Sequence, residues 1–175
     1  MKSLYQRLLG DAFLALPTAV RELHGHTESV TYVGRGSVER GTGWLSCMVG
    51  ALMRFPPAMP DTPVSVRFDI FNGVETWTRQ FGAYRFHSTL SASLPHLHES
   101  FGWVNIQFQL NADTNGLDMQ PLGWRALGMP LPRALWPKIV AREYAAHDHF
   151  HFHVEASHPL VGLLVRYRGY LQKTA

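Results

Sequence analysis

From Val30 onward the chain alternates apolar and polar residues with a period of two, the mark of strands with one buried face. Val30, Tyr32 and Val38 set the pattern, with Gly34 and Gly36 permitting a bend or bulge. Val64, Val66, Phe68 and Ile70 repeat it, Asn72-Gly73 signals a hairpin, and Trp77 and Phe81 share a face on the return strand. Further strands follow through Tyr84, Phe86, Ser88 and Leu90, and through Val104, Ile106, Phe108 and Leu110. After the Asn115-Gly116 hairpin signal, Pro121 belongs at an edge or bulge. The segment MPLPRALWPK reads as a connection with room for one helical turn. A closing meander spans residues 139–171, its last strand carrying Val161, Leu163, Val165, Tyr167 and Leu171 on one face. About nine short strands separated by turn signals predict a mainly β fold, an antiparallel barrel-like or strongly curled sheet.

Helical periods are confined to three places. Ser3 to Leu9 has Ser3 as N-cap and Gly10 as stop, and a second helix runs from Pro17 to His24 with Gly25 ending it. Between strands, Trp44, Met48, Leu52 and Phe55 fall at i, i+4, i+8 and i+11 and predict an inserted amphipathic helix over 43–55. Its apolar face packs on the core in the plainest reading; in the functional one it is a lid over the barrel mouth or touches lipid. The expected organisation is a single domain over 1–175, with helices in 1–26, the insert at 43–55 and strands across 63–172.

Composition narrows the function classes. The 175 residues are 46% hydrophobic and 17% charged, which suits a packed globule rather than a disordered chain. Net charge is +3 with no Lys/Arg run, which argues against nucleic acid. Cys47 is the single cysteine, so no intrachain disulfide forms. Arg7 and Asp11 interrupt any signal-peptide core, no transmembrane segment is expected, and a cytoplasmic location is the default expectation.

Histidines are the most conspicuous chemistry. His147, His149, His151 and His153 occupy alternate positions of one predicted strand and so share a face, opposite Phe150, Phe152 and Val154. Two imidazoles at i, i+2 can reach one metal, and His24/His26 and His96/His98 repeat that spacing. The contexts differ, however, and polar residues on the outward face of a strand are the plainer account. Cys47 has no neighbouring base, Ser46 and Ser88 lack a nucleophile elbow, and GRGSVERGTG is not a strand-to-helix phosphate loop. Among the strand arginines Arg67, Arg79, Arg85 and Arg166, Arg79 stands apart. It has the parity of Trp77 and Phe81, so a barrel that buries those rings buries Arg79 too. A buried guanidinium requires a carboxylate such as Glu99 or Glu143, or a ligand.

The set SLYQRLLG, LPTAVRELHG, VERGTGWLS, VRFD, ETWTRQFG, YRFHSTL, LHESFG, LPRALWP and FHFHVEASHPLVGLLVRYRGYL resembles the bacterial family catalogued as domain of unknown function 4166, across nearly the whole chain. The resemblance implies a module that occurs alone or behind NADP-binding reductase-like domains and holds a small or lipid-like molecule. It implies no established activity.

The leading expectation is non-catalytic binding of a small hydrophobic or amphiphilic molecule, with no cofactor. Trp77, Phe81, Phe86, Phe108 and Tyr167 line the cavity, Arg79 fixes a polar end, and Trp44 and Met48 gate the mouth. The alternatives are a metal-dependent protein using His149, His151 and His153, or a structural module that docks on a reductase-type protein.

Overall fold

The computed structural model describes residues 2–174. Its strands are β1 (Val30–Arg40), β2 (Met59–Phe71), β3 (Val74–Phe81), β4 (Tyr84–Ser93), β5 (His96–Phe101), β6 (Val104–Asp113), β7 (Gly116–Ala126), the short β8 (Met129–Pro130), β9 (Lys138–Ala146), β10 (His149–His158) and β11 (Gly162–Lys173). Ten of them pair antiparallel in the order β1 to β7, then β9, β10 and β11, and β11 pairs back onto β1. The sheet is therefore a closed ten-stranded barrel, with β8 attached only to β7. Closure pairs the strand edges except along the β7–β9 seam, where only Leu117, Asp118 and Met119 pair with β9.

Both ends of the barrel are defined by its helices. Helix α1 (Leu4–Leu9) is capped as its sequence predicts: Ser3 and Gln6 form a capping box, and Gly10 ends it at φ 55°. A 3-10 turn (Gly10–Ala15) leads to α2 (Thr18–His24). Both helices sit at the end where β1 begins, and bury Leu4, Tyr5, Val20, Leu23 and His24 in the barrel's core. Arg7 anchors them by donating to the Gly73 carbonyl in the β2–β3 turn, at 2.7 Å. The opposite end, where β1 leads into helix α3 (Trp44–Leu52), is the mouth.

Turns follow the local chemistry. Asn72 and Gly73 both have positive φ, the condition for a tight two-residue hairpin. In the β6–β7 hairpin the loop residues are Thr114 and Asn115, one position earlier than Asn115-Gly116 suggests. The Asp113 carboxylate selects this turn by accepting from the Asn115 and Gly116 amides. Pro121 sits at a register shift opposite Gln107 and Phe108, where a residue without an N–H is tolerated. The β1–β2 register also shifts between Gly36 and Val38.

Two expectations require correction. His147 does not extend the histidine row: with Asp148 it forms the positive-φ turn between β9 and β10, and only His149, His151 and His153 lie on the strand. Helix α3 also turns the opposite way from core packing. Its apolar residues Trp44, Met48 and Leu52 are 74%, 56% and 64% exposed, while Ser46 and Gly50 are buried. The cause lies beneath the helix. Ser46 Oγ donates to the Leu163 carbonyl at 2.6 Å, and Arg40 donates to the Phe55, Pro56 and Leu164 carbonyls. A Cβ on Gly50 would meet Arg40 Nη2 at 1.5 Å. The helix is held down by its small polar face, and its greasy face is left outside.

Candidate functional site

Alternate residues of every strand point into the barrel, and the inward set divides by depth. Midway along the barrel lies a polar cluster inside an aromatic shell. Arg79 on β3 donates from Nη1 to Ser88 Oγ on β4 at 2.6 Å and from Nη2 to Glu99 Oε1 on β5 at 3.0 Å. Ser88 also donates to Glu99 Oε1, at 2.7 Å. The guanidinium carbon lies 4.8 Å from the Trp77 ring centroid and 5.9 Å from those of Phe86 and Phe101. Around this enclosed arginine, whose side chain is 18% exposed, one carboxylate and three rings take the place of water. These are the only two hydrogen bonds of Arg79 among the described residues, so three of its five N–H donors have no protein partner.

A second pair lies under the helices. His24, the last residue of α2, is buried and its Nε2 is hydrogen-bonded to Glu143 Oε2 on β9 at 2.5 Å. Tyr5 stacks on the His24 ring with centroids 3.8 Å apart, and both face Trp77. Glu75 on β3 accepts from the Trp77 indole at 2.9 Å. Burial is the first cause that pushes the Glu75 carboxyl above the usual range, partly opposed by that indole bond. Burial likewise raises the Tyr5 phenol, and the nearby Glu143, Glu75 and Glu99 carboxylates push it further. The floor of the barrel thus holds three acidic side chains, Glu75, Glu99 and Glu143, beside one guanidinium and one imidazole.

Toward the mouth the interior is aromatic. Phe81, Phe86 and Tyr167 lie within 5.1–6.1 Å of one another, and Phe152 meets Phe81 edge-on at 6.4 Å. The Tyr167 hydroxyl and the Trp124 indole N–H are buried with no partner among the described residues, as are Tyr5 Oη and His24 Nδ1. Inward-facing Phe86, Phe152, Val154 and Ala156 are only half buried, so solvent reaches this part of the interior.

The structure therefore gathers Arg79, Trp77, Phe81, Phe86 and Tyr167 in one interior, with Phe108 in the same core. Trp44 and Met48 stand outside it on α3. His149, His151 and His153 lie on the outer wall, where His151 stacks between Tyr144 and Tyr170 at 5.4 and 5.9 Å. His151 and His153 border a shallow outer cleft of about 360 Å³ shared with Arg35, Arg168 and Tyr170, and Arg79 is not among its lining residues. No group of three His, Cys, Asp or Glu side chains among the described residues is placed to hold a metal ion. His24 and His26 also part: His26 Nε2 contacts the Tyr32 hydroxyl at 2.7 Å. Glu75, His24 and Tyr5 were not foreseen as interior residues. Glu75 had a signal, since it shares the parity of Trp77 and Arg79 on β3.

A profile of the family described as Domain of unknown function (DUF4166) matches residues 16–171. The chain belongs to the DUF4166 family. No curated protein matches this DUF4166 chain. Among solved structures it is similar to a protein of unknown function from the DUF3598 family of Nostoc punctiforme PCC 73102, with a TM-score of 0.53 at 8% identity. That match covers 83% of this chain and 47% of the other, so the chain spans just under half the length of that relative. At that identity the likeness concerns the fold alone. No helix among the described residues is long and apolar enough to cross a membrane.

Proposed function

We propose that this DUF4166 barrel binds a small, uncharged amphiphile inside, with its polar end at Arg79 and its apolar body among the mouth-side rings. The observation that carries the reading is Arg79 itself. Its guanidinium faces the interior with three unused donors, surrounded by Trp77, Phe86 and Phe101. Glu99 already pairs with it, and Glu75 and Glu143 are further acidic side chains on the same floor, so no unpaired cation among the described residues is left there for a carboxylate or phosphate. A carbonyl or hydroxyl oxygen suits those donors. The unpartnered Tyr167 hydroxyl and Trp124 N–H offer further hydrogen bonds on the way in. Because Phe81, Phe86, Phe152 and Tyr167 fill the mouth side, entry requires these rings to part.

Native mass spectrometry of freshly purified protein is expected to show a retained mass that organic extraction removes. Stripped protein is expected to bind Nile red, a neutral dye with a carbonyl acceptor. The paired variant Arg79→Met/Glu99→Gln avoids an orphaned charge, and loss of one or two hydrogen bonds weakens dye binding on the order of tenfold. Absence of both a retained mass and dye binding would sink the proposal.

A further inference from the structure

We infer that the mouth of the barrel docks on the surface of an anionic lipid bilayer, an inference that stands on the rim alone and survives if the interior ligand differs. Large apolar residues are exposed at this end from several elements. Helix α3 presents Trp44, Met48 and Leu52 along one face, and beside it the β10–β11 turn presents Leu160 at 83% exposure. Across the opening the β7–β8 turn presents Leu127 at 72% exposure. The Leu127 amide bonds to the carbonyl of exposed Trp103 in the β5–β6 turn, which joins these two loops into one edge. Several large apolar side chains exposed on both sides of one opening mark an interaction site rather than ordinary single exposure.

Charge selects the partner. Arg54, Arg85, Arg125, Arg133 and Lys138 are exposed around the same end, and none forms an ion pair among the described residues. The acids on this half of the barrel, Glu39, Asp61 and Glu155, are each paired with an arginine. Most of the remaining surface acids, including Asp11, Glu22, Glu28, Asp113, Asp118 and Asp148, lie at the helical end or in its turns. The helical end also exposes Leu14, Phe71 and Leu94 and the cations Lys2, Arg7 and Lys173, but it shares them with these acids; at the mouth, exposed apolar side chains lie with cations and without a free acid among the described residues. Tryptophan, leucine and methionine among cations is the chemistry of a bilayer interface with acidic headgroups. Helix α3 is fixed in this orientation by Arg40 and Ser46, so its apolar face needs no rearrangement to engage.

The test is flotation of lipid-stripped protein with vesicles of phosphatidylcholine alone or with 40% phosphatidylglycerol. Binding to the anionic vesicles is expected, with a blue shift of tryptophan emission, and little binding to the neutral ones. The variant Trp44→Ser/Met48→Ser/Leu52→Ser is expected to lower partitioning at least tenfold. Arg125→Glu/Arg133→Glu/Lys138→Glu is expected to lower it more, at about fivefold or greater per cation. All six positions are exposed, and an unchanged melting curve confirms folding. The interior variant Arg79→Met/Glu99→Gln is expected to bind vesicles like wild type, which separates this inference from the ligand proposal. No binding to anionic vesicles, or binding insensitive to both rim variants, overturns it. So does sedimentation as a dimer that the serine variant dissociates, since a second copy would then own this face.

Discussion

Glu75 concentrates the cost of the polar floor in one group. Its carboxyl is buried among Trp77, Leu4 and His24, and burial raises it above its usual range. The folded protein therefore holds this proton more tightly than the unfolded chain. By linkage, the stability it contributes is present below the ordinary carboxylate range and is lost as pH rises through the folded-state value. Glu75→Gln keeps an acceptor for the Trp77 indole and removes the charge. The variant is expected to match wild type at pH 4 and to melt higher at pH 8, by about 2–4 °C for each kcal/mol recovered. A melting difference that does not change with pH would show that Glu75 is ionised and satisfied in place. Arg79 and Glu99 behave in the opposite sense. Glu99→Ala strands the guanidinium and is expected to cost about 3 kcal/mol, whereas Arg79→Met/Glu99→Gln costs much less. Urea unfolding of the two variants checks this.

Helix α3 shows what an element owes to residues distant in sequence. Its period identifies a face at Trp44, Met48 and Leu52 but not the side that face takes. Arg40 and the Leu163 carbonyl decide it, and neither belongs to the helical pattern. Gly50→Ala adds a methyl where the Arg40 guanidinium lies, while giving the isolated helix about 1 kcal/mol of propensity. The expected outcome is a helix that lifts: amide exchange across Trp44–Met53 accelerates although the substitution favours helix. Unchanged or slower exchange would mean that Arg40 yields without loss. The strands were more legible, because a half-buried strand fixes its own parity. That parity alone placed Arg79 inside with Trp77 and Phe81, and the buried charge pointed to Glu99 or Glu143, of which Glu99 is the partner. His24, Tyr5 and Glu143 were not legible as a cluster. They come from two helices and a strand 119 residues beyond His24, and converge only when the helices cover the end of a closed barrel. The extra strands beyond nine came from β5 and β8, which are too short to show a period.

At the scale of the whole molecule, closure is uneven, and this sets where the interior opens. Strand β7 pairs with β6 along its length but with β9 only at Leu117, Asp118 and Met119, all near the helical end. Toward the mouth the two strands separate after the β9 partner of Met119, which is Ala141. The gap is occupied by the segment after β8, where the Leu131 amide bonds to the Trp124 carbonyl and the Trp136 indole donates to the Leu131 carbonyl at 2.7 Å. Few backbone bonds cross this half of the seam, so it is the part of the wall with the lowest local stability. Trp136→Ala removes the wedge that holds the segment. An inward thiol at Ala141→Cys, in a Cys47→Ser background, reports on the result, because Ala141 is buried at the point of separation. Its reaction with a water-soluble disulfide is expected to be slow in the parent and roughly tenfold faster with Trp136→Ala. Equal rates in the two proteins would place access through the mouth alone. A faster rate identifies the β7–β9 seam as a second door beside the cationic, apolar rim, through which a molecule could pass from the interior without crossing the ring stack of Phe81, Phe86 and Tyr167.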